Sequence, residues 1–302
     1  MPSISENKEI FQAYAWPEAG DEWSHEWGSS RTFFFGTVMP RIAAFVPAGD
    51  ILELAPGYGR CTQYVIGTAR TSYTAVDVAE NCVEACRERF ADVPHARFEV
   101  GDGKSLPFVD DASIDFAFSF DSLVHADAEA MRGYLGELAR TLRPGAHAFI
   151  HHSNLGAYVD APTGQPTVPN PEFRDPTVSG EAVRAWAAEA ELACLAQELL
   201  NWHSPHYTDC ISLLRRSEVS GAPIVSRHPD LAAEYRNLRR IDGLFGQAGR
   251  TAQSYGMWLS KGSRRSERVG SCGCVQQLAT TAWGSLMPLN PFHTPGGIWT
   301  SE

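Results

Sequence analysis

From residue 50 onward, short apolar runs alternate with longer stretches of helical periodicity. Asp50-Ile-Leu-Glu-Leu is a short apolar run beside Gly-rich sequence and reads as a buried strand. Arg60 to Ala69 predicts a helix, and Ser72 to Val78 a second strand with Asp77 near its end. Ala79 to Phe90 carries Val83, Cys86 and Phe90 at helical spacing. Ala96 to Val100 and Ser113 to Phe120 predict two further strands, and a helix follows from Asp127 to Leu142. Pro144-Gly145 reads as a stop before a fifth strand, His147 to His152. Ser179 is a plausible N-cap for a helix to Ala190. Leu195 to Asn201 and Asp209 to Arg215 predict two returning strands, and Pro229 to Gly246 a last helix. Such alternation predicts an α/β fold: a doubly wound, mainly parallel seven-stranded sheet with helices on both faces. Ligands in such folds bind beyond the carboxyl ends of the strands. That points to residues 55–60, Asp77, Asp102, 120–127 and 151–154.

Outside this pattern lie three segments of different texture. Residues 1–48 are rich in aromatics (Phe11, Tyr14, Trp16, Trp23, Trp27, Phe33 to Phe35) and predict a helical lid, with an amphipathic helix from Thr32 to Phe45. Residues 157–178 hold Pro162, Pro166, Pro169, Pro171 and Pro176, which excludes a regular helix or central strand and predicts a long loop, a mobile flap or a substrate loop. Residues 250–302 are rich in Gly, Ser, Thr and Pro and are expected to be poorly ordered. The expected division is therefore a lid segment (1–48), an α/β domain (49–249) and a tail (250–302).

Composition narrows the partners. The 302 residues are 43% hydrophobic with a net charge of -11, a surface that does not attract nucleic acid phosphates or anionic lipid. No run approaches the ~20 apolar residues of a membrane helix, so no membrane insertion is expected. The polar opening MPSISENKEI does not read as a secretory signal, and a cytoplasmic location is expected. Seven cysteines without framework spacing fit reduced thiols, and the lone Cys272/Cys274 pair falls short of a four-ligand metal site. The pattern leaves the oligomeric state open.

The candidate chemistry sits where the first strand ends, in Glu53-Leu-Ala55-Pro56-Gly57-Tyr58-Gly59-Arg60. Gly57 and Gly59 allow a tight bend and close approach of the backbone to a ligand. Asp77, near the end of the second strand, is placed to hold ribose hydroxyls. Strand, glycine-rich turn and distal acid together describe a nucleoside-cofactor site. A dinucleotide site needs a small residue closing G-x-G-x-x-G/A, but Arg60 or Thr62 stands there. The alternatives are a nicotinamide-dependent oxidoreductase and a non-catalytic nucleoside-binding module.

The loop resembles motif I of class I S-adenosylmethionine-dependent methyltransferases, with Glu53 as its acid and Ala55 in place of the usual first glycine. The order of Asp77, Gly101-Asp102-Gly103 and the fourth strand with its loop is similar to that family over about 50–155. The resemblance implies a Rossmann-like fold and S-adenosyl-L-methionine as cofactor, held by Glu53, Ala55, Gly57, Gly59, Arg60, Asp77, Val78, Asp102, Gly103 and Phe120. Ser119-Phe-Asp121-Ser-Leu-Val-His125-Ala-Asp127, His151-His152-Ser153-Asn154 and Tyr207-Thr-Asp209-Cys210-Ile-Ser212 resemble methyltransferases of bacterial polysaccharide and O-antigen gene clusters. That likeness implies O-methylation of a saccharide, sugar-phosphate or related small-molecule acceptor.

A hydroxyl acceptor must lose a proton, and His125 follows the fourth strand with an ordinary pKa near working pH, so it is the first candidate for the base. His152 and Asp121 are the other catalytic candidates. Adjacent strand residues face opposite ways, so at most one of His151 and His152 is expected in the cleft. Arg60, Arg31 or His152 would bind a phosphate acceptor, and Trp23 with Trp27 would close over a sulfonium.

Overall fold

The computed structural model describes residues 3–217 and 221–246. The tail expected over 250–302, with Cys272 and Cys274, lies outside the described residues. Eight strands build the main sheet: β1 (Ala48–Leu54), β2 (Ala69–Asp77), β3 (Ala96–Val100), β4 (Ile114–Ser119), β5 (Leu142–Ser153), β6 (Leu192–Leu200), β7 (Asp209–Arg216) and β8 (Ile224–Arg227). Their order is β8-β6-β7-β5-β4-β1-β2-β3. All neighbours are parallel except β7, which runs antiparallel to both β5 and β6. Strand order reverses between β1 and β4, which opens a crevice at their carboxyl ends.

The doubly wound reading therefore holds, with one strand more than expected. β8 is four exposed residues on the sheet edge, too short a segment for periodicity to mark. Pro144-Gly145 is not a stop, because β5 starts at Leu142 and runs through it. The β4–β5 pairing slips there, from Ile114 opposite Leu142 to Phe116 opposite His147, so a bulge absorbs the proline. The helix expected from Arg60 is reduced to Thr62–Val65 and a 3-10 turn, Ile66–Thr68.

Helices cover both faces. Helices α2 (Glu80–Arg89), α3 (Ala128–Thr141) and α4 (Gly180–Glu189) follow β2, β4 and the proline-rich loop. Asp127 and Ser179 cap α3 and α4, accepting from Ala130 N (2.9 Å) and Ala182 N (3.1 Å). On the α3/α4 face, Leu54, Leu106, Met131, Leu138, Ile150 and Val183 share one core. The other core joins Phe116, Phe118 and Phe149 of the sheet to Trp27, Phe33 and Phe34 of the N-terminal segment. A final helix, Leu231–Ile241, packs Tyr235 and Leu238 onto that second core.

The N-terminal segment is helical as expected, and it starts earlier. Helix α1 (Ile4–Ala13) opens with a capping box, Ser3 Oγ taking Glu6 N and the Glu6 carboxylate taking Ser3 N at 2.7 Å. A 3-10 turn (Asp21–Trp27) follows, then a helical stretch over 30–42 widened by a π turn at Phe34–Val38. Between residues 155 and 178 the chain is mostly irregular, as the prolines require. No helix among the described residues is long and apolar enough to cross a membrane.

Candidate active site

A cavity of about 730 Å³ fills the crevice beyond β1 and β4. One end is the turn after β1. Ala55 holds φ +55° and Gly57 φ +56°, so the position that departs from glycine still takes the left-handed backbone. Gly59, at φ +87°, has no room for a side chain, since a Cβ there would stand 2.7 Å from the Phe90 ring. Asp77 straps this turn down. Its Oδ2 accepts from Gly57 N (3.0 Å) and its Oδ1 from Ala79 N (2.9 Å). Burial pushes its pKa up to about 6 against those bonds.

Glu53 lies behind the turn, and Thr62 Oγ1 (2.6 Å) and the Tyr73 hydroxyl both donate to its Oε2. Burial lifts this carboxyl to about 7 despite the two donors. Glu53 braces the first turn after the loop and also lines the cavity. Val78, Gly103 and Phe120 line the cavity with it. Asp102 lines instead an adjoining hollow that shares Ile4 and Val78 with the cavity, and its oxygens accept from Lys104 N, Ser105 N and Ser105 Oγ. Its carboxylate shapes the turn that brings Gly103 to the wall.

Arg60 lines the cavity, as does Asp121, but its guanidinium is engaged within the protein. Its Nη2 donates to Asp121 Oδ2 at 2.6 Å, its Nη1 to Ser24 Oγ at 3.2 Å, and the guanidinium lies 4.8 Å from the Phe33 ring. Asp121 sits at φ +58° just past β4. Burial acts to raise its pKa, but Arg60 and Arg174 outweigh that and hold the carboxyl below its ordinary range. Asp121 makes no hydrogen bond to His125; its backbone N–H donates to His151 Nδ1 (3.2 Å).

The three histidines separate cleanly. His151 is buried on the Phe120 side, with Nε2 on Asp209 Oδ1 at 3.1 Å, beneath the cavity floor. His152 does not reach the cavity. It shares the opposite face of β5 with Ile150 and meets Ser212 Oγ (2.8 Å) and the Ser153 carbonyl (2.8 Å). Burial lowers its pKa to about 4, so it is a neutral core histidine whose site is corrected from cleft to interior. Of these three, only His125 lines the cavity. Its Nδ1 lies 3.1 Å from the Phe173 carbonyl, which fixes the proton on Nδ1 and leaves Nε2 as the ring's acceptor. Burial first, then Arg174, pulls its pKa below 6.5, so it is neutral at pH 7.

Of the two tryptophans expected over the cavity, one faces it and the other does not. Trp27 is fully buried in the second core, its Nε1 on Thr37 Oγ1. Trp23 does line the cavity, and Trp16 joins it, stacked on Tyr58 at 4.4 Å with its ring over Gly57. Arg31 is exposed and away from the cavity. Glu22 also lines the cavity, and further wall residues came from no motif: Glu26, Glu172, Arg174, Trp202 and His203. His203 sits between two carboxylates, Nδ1 on Glu172 Oε1 (2.9 Å) and Nε2 on Glu26. It thereby ties the lid to two loops.

Residues 51–145 match the methyltransferase domain family. The matched stretch carries the turn, Asp77, Gly103 and His125. A 115-residue stretch is 30% identical to O-methyltransferase resE of Aspergillus sclerotiorum, covering 37% of this chain and 42% of that protein. The chain thus spans less than half the length of the curated relatives it matches. Among solved structures, a putative sarcosine dimethylglycine methyltransferase from Galdieria sulphuraria superposes with a TM-score of 0.51 at 17% identity, over 62% of this chain and 86% of that one. A geranyl diphosphate methyltransferase in complex with GPP and sinefungin gives 0.52 at 12% identity, over 71% and 100%. Both superpositions show the same α/β Rossmann-like fold.

Proposed function

We propose that the chain is an S-adenosylmethionine-dependent O-methyltransferase of a small-molecule hydroxyl, a sugar or sugar phosphate lying within that class. The observation that carries the reading is a single cavity joining the glycine-rich turn at one end to His125 at the other. The residues suit the cofactor. The carboxylates of Glu53, Asp77 and Glu22 and the rings of Trp16, Trp23 and Tyr58 favour a cation with hydroxyl and ammonium donors. Glu22 Oε1 is buried without a hydrogen-bond partner, an acceptor that such an ammonium would satisfy. Bound S-adenosylmethionine supplies a methyl group on a sulfonium sulfur with a neutral thioether as leaving group. The protein's part is then to position the acceptor, exclude water and take one proton. His125 Nε2 takes that proton, and the imidazolium formed keeps its Nδ1–H on the Phe173 carbonyl. The 30% identity to an O-methyltransferase supports oxygen as the methylated atom.

The test is incubation with S-adenosylmethionine and a panel of sugars, sugar phosphates and phenols, with S-adenosylhomocysteine as the readout. Product with at least one hydroxyl acceptor is expected. Calorimetric binding of NAD in place of S-adenosylmethionine refutes the cofactor assignment, and cofactor binding without product across the panel refutes the O-methyl reading.

A further inference from the structure

We propose that Arg174 recognises a second, uncharged oxygen on the methyl acceptor, near the hydroxyl that His125 deprotonates; this rests on the methyl-transfer reading above. Arg174 belongs to the proline-rich loop and lines the cavity with a side chain only 4% exposed. Its Nε donates to Asp209 Oδ1 (2.8 Å) and its Nη1 to the Glu172 carbonyl (3.1 Å). Its Nη2 is buried with no hydrogen-bond partner, and the nearest Asp121 oxygen, at 3.9 Å, is beyond bonding distance. A buried donor left unpaired carries an uncompensated desolvation cost, which a partner arriving with the ligand would relieve.

Two backbone links set this donor beside the base. The Phe173 carbonyl meets His125 Nδ1, and Asp175 N donates to the Val124 carbonyl at 3.1 Å. Residues 123–125 and 173–175 therefore run side by side, and a molecule offering a hydroxyl to His125 brings its neighbouring atoms toward Arg174. The charge of the recognised oxygen follows from the ions already there. Arg174 is paired with Asp209, and Arg60 with Asp121, so four charges cancel. Glu26 and Glu172 add two negative charges to the cavity wall, and His203 between them, even when protonated, offsets only one. A carboxylate or phosphate would enter without a counter-ion, whereas a hydroxyl, ether or ketone oxygen satisfies Nη2 at no such cost. Phe120 and Trp202 wall this end and suit a flat ring.

The probes are phenol, catechol and salicylate, titrated calorimetrically into protein saturated with S-adenosylhomocysteine. Catechol is expected to bind about tenfold more tightly than phenol, a factor typical of one added hydrogen bond to a charged donor. Salicylate is expected to bind more weakly than catechol. In R174K, which keeps a cation beside Asp209 and loses the planar fork, the catechol-to-phenol ratio is expected to fall toward one. A ratio unchanged in folded R174K overturns the proposal, as does salicylate binding most tightly. Failure of all three probes to bind the S-adenosylhomocysteine complex overturns it while the cofactor reading stands. Failure of S-adenosylhomocysteine itself to bind removes both.

Discussion

Asp121→Asn replaces a carboxylate by an amide of the same shape and leaves the Arg60 guanidinium to face the interior with little to hold it. The side chains of Arg60 and Asp121 are 7% and 13% exposed, and their contact is 2.6 Å. Stranding one partner of a buried ion pair costs about 3–5 kcal/mol. Here the cost is reduced, because Arg60 keeps Ser24 Oγ at 3.2 Å and the Phe33 ring, and the Asn oxygen still accepts. We therefore expect a loss of about 2–4 kcal/mol. The backbone adds nothing, since Asn tolerates the left-handed conformation held at φ +58°. Urea unfolding followed by tryptophan fluorescence measures the loss, as a shift in midpoint at constant slope. Removing both charges in R60M/D121N should recover at least half of it, because no buried ion is then left alone. A D121N variant within 0.5 kcal/mol of the parent, the usual range of exposed pairs, would refute the buried-pair argument. The pH dependence has a definite sign. Asp121 is held below its ordinary 3.8 in the fold, so its contribution is present above that value and is lost as the solution is acidified below it.

Three further outcomes are expected. Gly59→Ala should lose about 1–3 kcal/mol in the same urea assay, since the added Cβ meets Phe90 at 2.7 Å in a left-handed backbone; a neutral effect would mean the turn relaxes freely. His125→Ala should leave S-adenosylhomocysteine binding intact and slow turnover by about 10²–10⁴-fold. The parent's rate should fall only as pH drops below 6.5 through the lowered His125 pKa, and an unchanged rate in the variant removes the base role. His203 should hold the lid best when protonated. Burial opposes that charge, but Glu26 and Glu172 raise the pKa above 6.5, so the clamp is complete below 6.5 and loosens as pH rises through the raised value. Proteolysis near residue 27 that does not increase from pH 6 to pH 9 would contradict it.

Much of the scaffold could be read from the sequence because each element carries its own signal. Ala96–Val100 matches residue for residue, and α3 stops one residue inside the expected range at each end. The parallel core strands and the glycine-rich turn follow from local pattern and spacing alone. What escaped depends on partners distant in sequence. His152 has the composition of a catalytic residue, and only the pairing of β5 with β7, which brings Ser212 to it, makes it a core histidine. Trp27 and Trp23 are indistinguishable aromatics until the 3-10 turn sends one into the core and the other to the cavity. Arg174 lies in a loop whose prolines exclude regular structure and say nothing of where a side chain points; its place is set by Asp209, 35 residues away. Asp102 shows the reverse case, where a turn motif of the right order serves the backbone and not the cavity.

On the function proposed above, the turn after β1 and Asp77 at the end of β2 hold a sulfonium nucleoside within reach of His125. A crystal structure with S-adenosylhomocysteine tests it most directly. The account predicts the amino-acid end of the ligand against residues 55–60, its ribose at Asp77 and its sulfur facing the His125 end of the cavity. Density for the ligand elsewhere, with Trp16 still closed over Gly57, would contradict it.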